Sequence, residues 1–436
     1  MRFMAADVAH ATGGRLVGQN VHLSGVTFDS RTLTPGQLFV AVVADRDGHE
    51  YVAAARAAGA GAYLTSREPQ GGTAIVVDDT VAALGRLAQW GRRALDARCG
   101  ARTVGITGSV GKTSTKDFVA AALGVSLRTT ASAKSLNNDL GVPVTILNAG
   151  DDVEALVLEM GMRGEGEIAR LCRIAEPKIG IVTAVAAAHT ARVGGIDGVA
   201  RAKSELPASL PADGWAILNA DDRRVLAMRD VTAARVLTYG ESGDADVRII
   251  DVTLDDAARP TATFVGAFGR VTVSLPVAGR HMVHNAGAAV AACVACGADP
   301  LAAAAALREV SMSAMRMEQR RSPSGALVID DSYNANPASM AAALHALAAV
   351  RAQRRLAIIG IMAELADSAA EHRKIAELAR SLGVECVAVD APDYGVRVVS
   401  KNDAVRMATE LGADDALLVK GSRVAGLDQV VRRVCG

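Results

Sequence analysis

Aromatic side chains are scarce in this chain: Phe, Trp and Tyr make up 3% of its 436 residues. That is too few for the stacking platforms with which proteins read single-stranded nucleic acid. An excess of one charge sign is also lacking. Lysine plus arginine number 47, as do aspartate plus glutamate, and no block of like charge occurs. Neither a polyanion-binding surface nor an acidic tail is expected, and so no nucleic-acid partner. No window reaches the roughly 18 uncharged apolar residues of a membrane span, and "MRFMAADVAH" lacks the apolar core of a signal peptide. The cysteines (Cys99, Cys172, Cys293, Cys296, Cys386, Cys435) are scattered. Cys293 and Cys296 form a C-x-x-C inside the alanine-rich "NAGAAVAACVACGAD", and no second ligand pair follows. A buried helical reading therefore outweighs a zinc or redox one. Together these absences point to a cytoplasmic, thiol-reduced protein.

What is present is enough apolar material for several cores: 50% of residues are hydrophobic and 22% charged. The length exceeds one ordinary domain. Three blocks separate along the chain, 1–98, 99–311 and 312–436. The first has short strand-like runs ("VTFDSRTLTPGQLFVAV"), the strand candidate "AIVVDD" and the amphipathic "TVAALGRLAQWGRRAL", a small mixed α/β unit. In the second, apolar runs stop at polar residues: "EALVLEMG" at Glu159, "KIGIVTAVAAAH" at His189 and "WAILNADD" at Asp221 and Asp222. Ligands of open α/β sheets sit beyond the carboxyl ends of strands, so such residues could converge on one crevice. The alternating "RPTATFVGAFGRVTVSLPV" adds antiparallel strands. The third block alternates most regularly. "ALVIDD", "RLAIIG", "VECVAV" and "ALLVKG" read as strands of a parallel sheet separated by helices. One of those helices has Asn336 as its N-cap and Pro337 at its first position.

The most informative stretch is "TVGITGSVGKTSTKDFVAAAL" (103–123): an apolar run, a glycine-bracketed loop and a helix-like segment. Gly108 and Gly111 let the backbone turn its N–H groups inward around phosphates, and Ser109 and Ser114 lie within the same loop and helix start. Lys112 neutralises β/γ charge, and the Thr113 hydroxyl suits Mg²⁺. The strict P-loop spacing wants glycine where Ile106 stands, so this is a variant spacing. Glu159 and His189 are the best further candidates for a Mg²⁺-ATP site. On its own, Glu159 would more often be a solvated rim carboxylate and His189 a satisfied core or surface histidine.

Beyond the loop, "KSLNNDLGVPVTIL" (134–147), "LEMGMRGEGEIARL" (158–171), "AAAHTARVGGIDGVARAKSEL" (186–206), "GRHMVHNAGAA" (279–289), "DDSYNANPASM" (330–340), "MAELADSAAEHR" (362–373) and "VKGSR" (419–423) follow in order. In this order and over nearly the whole chain, the sequence resembles the Mur ligases. The resemblance is nearest to the member that adds D-alanyl-D-alanine to UDP-N-acetylmuramoyl-tripeptide. "FDSRTLTPGQLFVA" resembles the uridine-nucleotide-binding part, "DDSYNANP" is typical of the dipeptide-adding enzyme, and the D-N-P-R motif of the preceding amino-acid-adding enzyme is absent.

The resemblance implies an α/β protein of three domains: a small mixed α/β domain for the UDP-sugar-peptide, a P-loop ATPase-like central domain with a mostly parallel sheet, and a Rossmann-like domain that closes on ATP. It implies ATP, Mg²⁺, an acyl-phosphate mechanism and a monomeric enzyme. Lys112, Glu159, His189 and Lys203 would be catalytic, with Thr113, Glu159, His189 and a carbamylated Lys203 about the metal. Gly108, Ser109, Gly111, Ser114, Asn285, Arg316 and Asp331 would serve the nucleotide. Ser30 and Arg31 would face the UDP end, Asn137, Asn138 and Asp139 the muramoyl-peptide side, and Asn334 and Asn336 the dipeptide. For Ser30 and Arg31 a structural turn is the rival reading, and for Asn336 a helix cap. The sequence departs from the family pattern at Ala184, Ala191, Met282 and Ile361, where polar residues are common. Two alternatives therefore stay open: a Mur-type ligase with another amine or carrier, and a nucleotide-binding scaffold without ligation.

Overall fold

The computed structural model describes residues 1–436 apart from 101, 134, 187–192, 364 and 366. Its described strands form four sheets, three of them built on parallel pairs. The fold class is α/β, as expected from the alternating strand and helix patterns.

Near the N-terminus, a five-stranded sheet runs in the order Arg15–Val17, Ala74–Val76, Ala62–Thr65, Leu38–Val40 and Val26–Thr27, with only the first pair antiparallel. A two-stranded ribbon of Arg2–Met4 and His22–Ser24 lies beside it in sequence. The long helix Thr80–Cys99 follows, capped by the Asp79 carboxylate, which accepts from the N–H groups of Val81 and Ala82. This helix packs on Gly141–Leu147 and Glu167–Ala175 of the next region. Leu84, Leu87 and Ala88 share one buried apolar cluster with Ile146, Leu147 and Leu171. Polar groups finish the same seam at the end of Glu167–Ala175. The Gln89 amide donates to the Arg173 carbonyl at 2.8 Å, and Arg93 pairs with Glu176. The buried Arg92 guanidinium reaches the Glu176 carbonyl at 3.4 Å. Donors and cations are favoured at that helix end, where carbonyls lack partners.

The central sheet has nine strands. Arg102–Thr107 lies between Ala155–Glu159 and Ile179–Val182 and is parallel to both. Chain order reverses direction across the sheet at this strand, because Thr129–Ala131 lies beyond Ala155–Glu159 on one side and Trp215–Asn219 beyond Ile179–Val182 on the other. This is the switch point at which open α/β sheets leave a crevice beyond their carboxyl ends. The register aligns Glu159 with Ile106 and Val182 with Thr107, so three strands end at one level. Val247–Leu254 continues the sheet parallel to Arg235–Gly240, and Pro260–Gly266 and Gly269–Ser274 complete it as the antiparallel strands expected there. Cys293 and Cys296 lie buried as free thiols in the helix Met282–Cys296, and burial pushes the Cys296 thiol up to about 12. The helical reading of that C-x-x-C holds.

The last sheet runs Glu318–Arg321, Leu327–Asp331, Ala416–Lys420, Arg355–Ile359, Glu385–Val389 and Arg397–Val399, and only its first pair is antiparallel. Asp331 and Ile359 both stand level with Lys420. Asn336 caps Pro337–Ala349 as expected, with its side-chain carbonyl accepting from the Ser339 N–H at 2.9 Å. Asn336→Ala should lower stability by about 1 kcal/mol, read as a fall of about 2–4 °C in a thermal melt. Asn336→Asp keeps the acceptor and should restore most of that loss.

Candidate active site

Above the switch point, Thr107 is followed by the loop 108–111 and the helix Lys112–Gly124. Two glycines are structurally required. Gly111 has φ +82° as the helix N-cap, and a Cβ at Gly108 (φ +152°) would stand 1.8 Å from the Thr183 hydroxyl. The loop is stitched to the end of the neighbouring strand. The Thr183 hydroxyl donates to the Val110 carbonyl, and the Ser109 N–H donates to the Ala184 carbonyl at 2.8 Å. The Ser109 hydroxyl bridges the backbone of Ala186. Lys112 folds back so that its ammonium donates to the Gly108 carbonyl at 2.7 Å.

Beside this loop lies a cavity of about 390 Å³. The sequence-predicted Gly108, Ser109, Gly111, Lys112, Thr113, Ser114, Asn137, Asn138, Asp139, Glu159, Lys203, Arg316, Asn334 and Asn336 all line it. Its floor is the buried Glu159 carboxylate. One oxygen accepts from the Thr113 hydroxyl and the other from the Asn137 amide, each at 2.8 Å. Both partners are neutral, so the negative charge is undivided. Positive charge faces it. Burial lowers the pKa of Lys112, reinforced by Arg316 and opposed by Glu159. Lys203 is buried in the helix Gly195–Ala208, and its pKa lies well below the ordinary lysine value, first through burial and then through Lys112. Among the described residues its amine has no hydrogen-bond or ion-pair partner.

The far wall comes from the C-terminal region. Arg316 donates to the Thr113 hydroxyl at 3.3 Å and lies over the Tyr333 ring at 4.3 Å. The Asn336 amide donates to the Ser109 carbonyl at 3.4 Å, so Asn336 both caps its helix and touches the phosphate loop. Lys420 bridges the Asp331 carboxylate (2.5 Å) and the Asn334 carbonyl (2.9 Å) beneath this wall. Asn138 is spent locally, accepting from the Gly141 N–H at 2.9 Å, and Asp139 pairs with Arg170.

Several expected residues stand elsewhere. Asp331 is buried off the cavity, accepting from Lys420 and from the Met317 N–H at 3.3 Å. Asn285 lies under the loop, where its carbonyl accepts from the Thr115 hydroxyl at 3.1 Å and its amide donates to the Met282 sulfur at 3.4 Å. A Cβ at Gly111 would meet that same Asn285 carbonyl at 2.7 Å, so Asn285 supports the loop from below. Ser30 and Arg31 do not line the cavity. Arg31 grips Asp29 through its backbone N–H and its guanidinium, which is the turn geometry of the rival reading. His189 and Ala191 lie outside the described residues. Among the described residues no group of three or more His, Cys, Asp or Glu side chains is placed to hold a metal. Sequence reasoning did not single out Ser135, Arg163, Arg170 or Tyr333, which also line the cavity, although each sits within or next to a quoted motif.

Comparison with known proteins follows the same lines. Residues 106–293 match the model of the Mur ligase middle domain, and residues 315–423 that of the Mur ligase glutamate ligase domain. The UDP-N-acetylmuramoyl-tripeptide–D-alanyl-D-alanine ligase of Mycobacterium tuberculosis is 39% identical over 93% of this chain and 91% of its own length. The protein of that name from Escherichia coli is 37% identical over 96% and 95%. The chain belongs to the Mur ligase family. In structure, this Mur ligase is similar to MurF from Acinetobacter baumannii, with a TM-score of 0.90 at 28% identity, covering 100% of this chain and 99% of that one. It is also similar to MurF ligase from Thermotoga maritima in complex with ADP, with a TM-score of 0.80 at 26% identity, covering 94% and 97%. No helix among the described residues is long and apolar enough to cross a membrane.

Proposed function

We propose that this Mur ligase joins D-alanyl-D-alanine to UDP-N-acetylmuramoyl-tripeptide at the expense of ATP, in peptidoglycan precursor synthesis, as a cytoplasmic monomer. The observation that carries the reading is the single cavity in which the phosphate loop, Glu159 and Lys203 face Arg316, Tyr333 and Asn334. Two anions, a peptide carboxylate and a triphosphate, must meet there. Lys112 and Arg316 offset that repulsion, and fixed cations act most strongly where water is excluded. The tripeptide carboxylate oxygen attacks the γ-phosphorus and ADP leaves, forming an acyl phosphate. The dipeptide amine then attacks the acyl carbon, losing a proton and expelling phosphate. Holding acceptor and donor in line is the main task of the cavity walls.

The residues present fit Mg²⁺. A buried carboxylate with only neutral partners, next to a threonine hydroxyl, is a hard-oxygen donor set of the kind that binds this ion with phosphates and water. Thr113 and Glu159 would hold it, with His189 and the modified Lys203, and it would supply charge neutralisation at the phosphates. Lys203 fits carbamylation. Its amine is driven toward the neutral form, which adds to CO₂, releases a proton and becomes an anionic oxygen donor. Of the remaining candidates, Asp331 would serve the nucleotide ribose and Asn137 and Asp139 the peptide substrate. Ser30 and Arg31 would serve the UDP end.

In a phosphate-release assay, ATP turnover should require both UDP-N-acetylmuramoyl-tripeptide and D-alanyl-D-alanine, and mass spectrometry should show the pentapeptide product. Ligation of a single amino acid in place of the dipeptide would overturn the substrate assignment. ATP binding without any ligation would leave a scaffold.

A further inference from the structure

Arg316 is held in an unusual way. Its neighbours Met315 and Met317 have φ of +61° and +54°, a left-handed backbone that non-glycine residues adopt rarely and at a cost. The turn is tied down by the Met315 N–H donating to Glu318 at 3.2 Å and the Met317 N–H donating to Asp331. At its tip the guanidinium makes one long hydrogen bond to Thr113, and its Nε is buried without a hydrogen-bond partner. Hydrogen bonds alone therefore do not fix the direction of this side chain. The Tyr333 ring does, lying 4.3 Å from the guanidinium carbon. The Tyr333 hydroxyl in turn pairs with that of Ser135, which follows Thr129–Ala131, the edge strand of the nine-stranded sheet. One side chain thus touches the cation that reaches Thr113 beside the phosphate loop and also the opposite wall of the cleft.

We infer that Tyr333 is a positioning residue that couples the meeting of the two walls to the placement of Arg316 over the phosphate loop, an inference that rests on the ligase reading above. The ring aims the guanidinium, and the hydroxyl sets where the C-terminal wall sits against Ser135. When the walls part, the Ser135 contact breaks and Arg316 leaves Thr113 together with its platform.

The test is a double-mutant cycle in the full chain, with kcat and KM for ATP measured separately. A partly buried cation–π contact implies that Tyr333→Leu lowers kcat about tenfold with little change in melting temperature. Tyr333→Phe, which keeps the ring but loses the hydrogen bond to Ser135, should lower kcat about threefold, less than Tyr333→Leu does. Tyr333→Leu combined with Arg316→Ala should be no worse than Arg316→Ala alone. Additive losses, or a Phe variant as impaired as the Leu variant, would overturn the positioning role. If the wild type binds nucleotide but ligates nothing, the ligase reading fails by itself. The same cycle is then read by calorimetry with adenylyl imidodiphosphate and Mg²⁺. Tyr333→Leu should weaken binding about tenfold with Arg316 present and not at all in the Arg316→Ala background. Weakening in both backgrounds would again overturn it.

Discussion

Lys203→Ala is expected to cut ligation about 10³-fold, the scale seen when one preorganised electrostatic group is lost, and short carboxylates added to the assay are expected to restore part of the rate. The reason lies in its surroundings. The amine is buried, lacks a described hydrogen-bond or ion-pair partner, and lies within electrostatic range of Lys112. As an ammonium it would repel the cation and the lysine that the phosphates require; as a carbamate it would complement both. Dependence on dissolved CO₂ should accompany the effect, so degassed enzyme should recover activity on addition of bicarbonate. Lys203→Met separates this from a packing role. Removing an unpartnered buried amine should raise stability by about 1 kcal/mol while leaving the enzyme inactive. Wild-type turnover by the methionine variant would end the carbamate assignment.

Glu159→Gln should lower kcat by about 10²- to 10³-fold with the melting temperature nearly unchanged. Glutamine has the same shape, and Asn137 and Thr113 can each still make a hydrogen bond to it, so the cleft floor should survive. What disappears is the negative charge facing Lys112, Lys203 and Arg316. A magnesium titration of phosphate release should then shift to higher metal concentration. An unchanged titration curve would place the cation elsewhere.

Much of this arrangement was legible because it is local. The glycines of the phosphate loop, the cap at Asn336 and the acid ending Ala155–Glu159 each follow from a few neighbouring residues and a known backbone requirement. The parallel strands of the last sheet were equally readable, since each is a short apolar run between helical patterns. Contacts across long separations were not. Tyr333 and Ser135 are 198 residues apart, and no spacing rule links them. Asn285 shows a subtler limit. Its position next to the phosphate loop was foreseeable, but its amide is engaged by Thr115 and Met282, and that direction depends on how two helices pack. Asp331 is similar, because its pairing with Lys420 needs the register of two strands.

The seam along Thr80–Cys99 has its own consequence for how the molecule unfolds. That helix shares one apolar cluster with Gly141–Leu147 and Glu167–Ala175, and its polar side chains close over the end of the latter. Parting the two regions at residue 98 would open that shared cluster and expose apolar surface on both pieces. The first hundred residues and the core of the nucleotide sheet should therefore exchange their amide protons as one cooperative unit, so that losing the N-terminal sheet means losing the phosphate loop with it.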